Sequence, residues 1–211
     1  MIINQDHPAY RRMLTGKQFY NGAFYYSKEI CKNIIPNVDT DRHWVTIRVP
    51  GVCVDHSVVF IHNNVTPHYY DYLADYKDLI LVCGVPDTCK MVKHLGMAIY
   101  LPLSVDVDYV AQFKAEKTKD TAFVGRRAKT KYGSLPYGID YLCGIKRQEL
   151  LPMMAQYKNV YGVGRVAIEA KILGCKVLPY DERFPNPKRW RVLDNKDAAK
   201  ILQQKINKID G

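Results

Sequence analysis

The sequence predicts an α/β protein of two small lobes, each a parallel sheet wound with helices, the two sheets facing a cleft. Three observations predict it. Strand-like and helix-like segments alternate along the chain, and that alternation builds parallel strands joined by crossovers. One segment, "HSVVFIHNN", carries an unbroken apolar run, the mark of a strand buried on both faces. The rhythm pauses in the polar, charged stretch "VDYVAQFKAEKTKD" and then restarts. The chain is therefore expected to divide there, into residues 1–110 and 111–211.

The elements follow in order. After an irregular start, Gly16 and Gly22 precede an expected helix of about ten residues that Pro36 ends. "HWVTIRVP" alternates and is β-branched, so it reads as a strand; "HSVVFIHNN" is the next. "TPHYYDYLADY" is expected to be a helix with Thr66 as cap and Pro67 at its first position. "DLILVCG" is a strand, "VPDTCKMVKHLG" a helix closed by Gly96, and "MAIYLPLSVD" a strand. In the second half come "TAFVGRR" and "IDYLCGI" as strands, then the helix "KRQELLPMMAQYK". "NVYGVG" runs as strand into turn, "RVAIEAKILG" as helix, "CKVLPYD" as strand. A last helix, "NKDAAKILQQKINKI", places Ala198, Ile201, Leu202, Lys205 and Ile206 at amphipathic spacing behind Asp194 as candidate cap.

Composition narrows the class. With 211 residues, 47% hydrophobic and 25% charged, the chain has ample material for a core. No apolar run approaches the ~20 residues that span a bilayer. "MIINQDHPAYRRM" lacks the apolar stretch of a secretory signal. The six cysteines are scattered, with no Cys-x-x-Cys pair, which argues against zinc and for reduced thiols in a cytoplasmic protein. The net charge of +10 is uneven: residues 1–110 carry 10 Lys/Arg against 11 Asp/Glu, residues 111–211 carry 21 against 10. A basic half points to an anionic partner: a nucleotide diphosphate, nucleic acid or an anionic membrane surface.

The richest stretch is "YGVGRVAIEAKILGCKVLPYD", Tyr161–Asp181. "GVGRVA" fits the dinucleotide pattern G-x-G-x-x-G/A, and Asp181 stands 17 residues past Gly164, near the expected place of a ribose-binding acid. Against an NAD-dependent oxidoreductase, only 30 residues follow Asp181, and ten positions from Gly164 to Gly174 make a short helix.

That interval, with its surroundings, resembles the donor segment of nucleotide-sugar glycosyltransferases of the GT-B fold, E-G-F-G-x-x-x-x-E-A-x-A-x-G-x-P-V. Gly162, Gly164, Glu169, Ala170, Gly174 and Val177 fall in register. "YLPLSVDVDYV" is similar to the I-P-N-G-V-D segment that ends the family's first domain, and "TAFVGRRAK" to the F-V-G-R-x-x-x-K-G that opens its second. The three occur in the family's order over residues 95–180. The resemblance implies two Rossmann-like lobes and transfer of a sugar from a nucleotide diphosphate, a UDP-sugar first among donors, with no metal or other cofactor required. It implies that Gly162, Gly164 and Arg165 meet the diphosphate and that Glu169 holds the ribose hydroxyls. Arg126, with Lys129 or Lys131, implies the basic pair that neutralises the leaving group. Tyr161 departs from the family, which carries an acid there.

The first half offers less. Gly22 is the candidate glycine nearest the donor phosphates. His62 ends a buried strand, where active groups gather in parallel sheets, and Asp55 and His56 precede that strand as further candidates for a base that takes a proton from an acceptor hydroxyl. Among GT-B enzymes, phage DNA glucosyltransferases match a basic cleft face, so a modified DNA base is one expected acceptor, with "NPKRWRV" as a candidate contact. A membrane-associated saccharide is the other. The remaining alternative is a non-catalytic nucleotide-binding protein with the same lobes.

Overall fold

The computed structural model describes residues 1–13, 22–62, 67–125 and 135–211. They form an α/β structure with two parallel sheets, and backbone proximity divides the chain into two compact units. The first comprises Met1–Pro102 together with Asn195–Gly211, the second Leu103–Asp194.

In the first unit, five parallel strands stand in their order along the chain: β1 (Ile2–Ile3), β2 (His43–Val45), β3 (Ser57–Ile61), β4 (Ile80–Cys83) and β5 (Met97–Tyr100). The apolar run read as a doubly buried strand is one: every residue of β3 and β4 is buried. Register places Val45, Val59 and Leu81 on one face, packed with Tyr10, Tyr70, Leu73 and Val92. Trp44 and Phe60 stack on the opposite face, where Tyr26 meets Phe60 edge-on. α1 (Pro8–Met13) follows β1, and α3 (Pro86–Val92) links β4 to β5.

Several expected elements differ in detail. α2 (Gly22–Glu29) does not stop before Pro36; it widens into a π-helical turn, Ile30–Ile34, and tightens into a 3₁₀ turn, Ile35–Asn37. Pro36 is tolerated because it sits in the first turn of that 3₁₀ segment, where its missing N–H leaves no bond unmade. The expected strand 43–50 shortens to His43–Val45. The expected helix from Pro67 is two 3₁₀ pieces, Pro67–Tyr69 and Asp71–Asp75; Thr66, its expected cap, lies outside the described residues.

The larger correction concerns the last helix, α7 (Asn195–Asp210), expected in the second half but part of the first unit. Its apolar stripe decides this: Ala198, Leu202 and Ile206 are at most 1% exposed, and the helix packs on the Ile30–Asn37 segment. Polar pins lie along it. Asn195 Nδ2 donates to Glu29, Gln203 bonds the Asp39 backbone in both directions, and Asp210 pairs with Arg42. Asp194, the expected cap, instead accepts from the Val107 amide in the second unit.

Arg42 anchors a charged network at the amino end of the first sheet. Its side chain is 3% exposed and donates to Asp210, to the Asp78 carboxylate at 3.0 Å and to the Asp78 carbonyl at 2.9 Å. His56 bridges Asp78, through Nδ1, and Asp41, through Nε2 at 3.0 Å. His56 and Asp78 both adopt left-handed backbone, φ 56° and 52°, a conformation that the bonded network holds against its intrinsic cost.

The second unit opens with α4 (Val107–Ala111), capped by Asp106, whose carboxylate accepts from the Tyr109 amide at 2.9 Å. β6 (Lys119–Val124), β7 (Asp140–Leu142), β8 (Tyr157–Tyr161) and β9 (Lys176–Leu178) form a parallel sheet in the order β7-β6-β8-β9. α5 (Arg147–Met154) and α6 (Arg165–Ile172) pack on β8. Lys117 ties the far ends of those helices together: its ammonium donates to the carbonyls of Ala155 at 2.6 Å and Leu173 at 2.7 Å. Among the described residues no helix is long and apolar enough to cross a membrane.

Two outcomes follow. Leu202→Ala opens a cavity under α7 and is expected to cost about 2–5 kcal/mol of stability in urea unfolding. His56 donates from both ring nitrogens only when protonated, and its two carboxylates, Asp78 foremost, raise its pKa above the ordinary 6.5. A raised histidine contributes fully below the ordinary value and loses that contribution as pH rises through the raised one. Urea midpoints should therefore fall across the neutral-to-alkaline range in the wild type and lack that fall in His56→Gln. Superimposable pH profiles would contradict the bridge.

Candidate functional site

In an open parallel sheet, ligands bind beyond the carboxyl ends of the strands, where the chain's connections leave in opposite directions. The first sheet runs in chain order and has no such point. The second has one: β6 connects to β7 on one side and the chain returns to β8 on the other. The place so marked is the carboxyl end of β6 and β8, closed by Gly125 after β6 and by Tyr161–Gly164 after β8.

The glycines there are required. Gly164 has φ 65° and ψ −135°, outside the comfortable range of a side-chain-bearing residue. A Cβ at Gly162 would meet Val166 Cγ1 at 2.7 Å. Gly164 is also the N-cap of α6 and brings no side chain to cover the first-turn amides. Those amides and the helix dipole favour an anion.

Behind the turn, two arginines share Glu169. Arg147, first residue of α5, donates from Nε to Oε1 at 2.8 Å; Arg165, first residue of α6, donates from Nη2 to the same oxygen at 3.3 Å. Glu169 is buried and the two arginine side chains are mostly covered, and the Arg147 guanidinium lies over Tyr109 of α4. Glu169 Oε2 has no hydrogen-bond partner among the described residues. The second unit carries 17 Lys/Arg against 10 Asp/Glu, a net +7 that raises the potential for an anionic ligand.

On the other side of the strand end, Tyr161 borders a polar hollow of about 360 Å³ with Asp120, Thr121, Tyr137 and Asp140. Asp140 also accepts from the Tyr157 hydroxyl at 2.9 Å. No group of three or more metal-ligating side chains occurs among the described residues.

The structure thus brings Gly162, Gly164, Arg165 and Glu169 together. Arg126, Lys129 and Lys131 lie outside the described residues. Gly22 opens α2 in the first unit, immediately after an undescribed segment. His62 does stand at the carboxyl end of β3, its Nε2 donating to the Thr46 carbonyl at 2.6 Å and its ring edge-on to Tyr26. Asp55 stands at the other end of that strand and accepts from the Lys77 amide at 2.8 Å. Seven residues of extended chain separate the two by on the order of 20 Å, so they do not form one site. His56 likewise sits at the amino end, committed to the Arg42 network.

Two further expectations meet the packing. Asp181 is 1% exposed and clamps Arg183 through both oxygens, at 2.8 and 2.6 Å, which removes it as a ribose contact. Trp190 is buried edge-on against Phe184, with Arg189 over both rings, so "NPKRWRV" offers no aromatic stacking platform. Arg147 was not foreseen as a site residue. It lies 22 positions before Glu169, and only the packing of α5 beside α6 brings them together.

No protein-family model matches the chain, and no curated protein matches it; function must be argued from the site itself. Removing the shared carboxylate while keeping bulk, Glu169→Leu, takes a buried charged partner from two largely covered guanidinium groups and is expected to cost about 3–5 kcal/mol in urea unfolding. A loss below 1 kcal/mol would mean that the arginines do not depend on it.

Proposed function

We propose that the protein is a nucleotide-sugar glycosyltransferase of the GT-B type, with a UDP-sugar as donor. The observation that carries this reading is the glycine turn Gly162–Gly164 at the topological switch point of the second sheet, heading a helix whose first turn is uncapped by a side chain. The donor diphosphate rests on the α6 amides, with Arg165 and Arg147 behind them supplying positive charge. Glu169 has a divided role in this reading: Oε1 holds the arginines and Oε2 accepts a ribose hydroxyl. Arg126, Lys129 and Lys131, which follow Gly125, neutralise charge as the nucleotide leaves, the step at which preorganised cations lower the barrier most.

His62 is the proposed base for the acceptor hydroxyl, since it occupies the carboxyl end of its sheet; Asp55 is relieved of that role by its position. The basic second unit favours a polyanionic acceptor, and a modified DNA base fits that charge; a membrane-associated saccharide is the alternative. The buried Asp181–Arg183 clamp weighs against the NAD reading, because a dinucleotide ribose has no free acid to meet.

Thermal melting with UDP-sugars, GDP-sugars and NAD tests the proposal. A ligand at 100 times its dissociation constant stabilises by about 2.7 kcal/mol, so a UDP-sugar is expected to raise the melting temperature by several degrees and NAD to leave it unchanged. The UDP-sugar shift should vanish in Gly164→Val. Stabilisation by NAD alone would overturn the reading, and a UDP-sugar that binds without transfer or hydrolysis would leave a binding protein in its place.

A further inference from the structure

We propose that the polar hollow lined by Asp120, Asp140, Tyr137 and Tyr161 binds a neutral saccharide. The inference does not rest on the nucleotide reading of the glycine turn. The hollow measures about 360 Å³, within the size class of small-ligand sites, and both aspartates are exposed, so a ligand reaches them from solvent. Asp120 lies in β6, and Asp140 opens β7 in register with Ala122. The pairing of those two strands thus brings both carboxylates to one hollow.

Each carboxylate is aimed by a neutral hydroxyl. Asp140 Oδ2 accepts from the Tyr157 phenol at 2.9 Å, and Tyr157 is only 2% exposed, so that donor is fixed in the core. Thr121 Oγ1 donates to Asp120 Oδ2 at 3.1 Å and accepts from Asn159 Nδ2 at 3.2 Å. The other oxygen of each aspartate, Oδ1, has no hydrogen-bond partner among the described residues. Neither aspartate makes an ion pair among them, although this unit carries a net +7. Lys119, the neighbouring cation, lies instead over the Tyr157 ring, 5.3 Å from its centre.

This set of groups selects the ligand. Two carboxylates repel a phosphate or a second acid. A metal ion needs a closer cage, and no three His, Cys, Asp or Glu side chains able to hold one gather among the described residues. An organic ammonium donates to carboxylates but offers no acceptor to the phenol O–H groups of Tyr137 and Tyr161. A sugar offers both. Its hydroxyls donate to the two Oδ1 atoms in charge-assisted bonds and accept from the phenols. Its C–H face rests on an aromatic ring, and Tyr137 stands fully exposed at the hollow.

Saturation-transfer NMR of the native full-length protein, without nucleotide, tests this with the methyl glycosides of glucose, galactose, mannose and N-acetylglucosamine. At least one is expected to bind. Asp120→Asn and Asp140→Asn keep shape and lose charge; each is expected to weaken that binding about tenfold, the worth of one hydrogen bond to a charged group. Three results overturn the proposal: no glycoside binds, binding survives unchanged in both variants, or tetramethylammonium binds in place of the sugars and is lost in the variants. Because nucleotide is absent, a UDP-sugar that fails to shift the melting temperature leaves this result standing, and the reverse holds too.

Discussion

The pairing of β6 with β8, with β7 set on the outer side, is the constraint on which the second unit depends. The parallel ladder sets Ala122 opposite Val160 and Phe123 opposite Tyr161, although a strand and a helix separate them in the chain. Once those strands are neighbours, the connections after β6 and after β8 must diverge, and a concavity opens above their ends. The glycines answer that geometry. Gly164 takes a backbone angle that side-chain-bearing residues rarely adopt and Gly162 yields space to Val166, so α6 starts directly after the end of β8.

α5 and α6 are held at both ends by opposite means. At their carboxyl ends Lys117 donates to the closing helix carbonyls of Ala155 and Leu173, a favourable meeting of cation and dipole. At their amino ends the charges run against the dipole, since Arg147 and Arg165 occupy first positions, where an acid is preferred. Glu169, one turn into α6, offsets this by taking both guanidiniums on one oxygen. Buried ion pairs of this kind contribute little net stability.

Much of this was legible in the sequence. The uninterrupted apolar run of β3 and the strand–turn–helix from Asn159 to Gly174 were readable because each rests on local rules: burial on two faces and glycine at a turn. What was not legible depends on distance. α7 carries a clear amphipathic stripe, yet nothing in a stripe says which surface it covers; the pins to Glu29, Asp39 and Arg42 lie more than 160 residues away. The meeting of Arg147 with Glu169, and of His56 with two aspartates, is equally invisible to spacing. Tyrosine-rich 67–75 misled for a different reason, because helical propensity and 3₁₀ turns share the same residues and only packing of Tyr70 and Leu73 into the core decides between them.

Tyr161 ends as a more specific departure than the sequence implied. At the position where the resembling family places an acid, this chain presents a phenol at the rim of a hollow that already holds Asp120 and Asp140. Those carboxylates come from the amino-terminal part of β6 and β7, not from the glycine turn, and Asp140 is shared with Tyr157. A phenol in place of a carboxylate sets no acid beside the glycine turn, where the α6 amides and the helix dipole favour an anion.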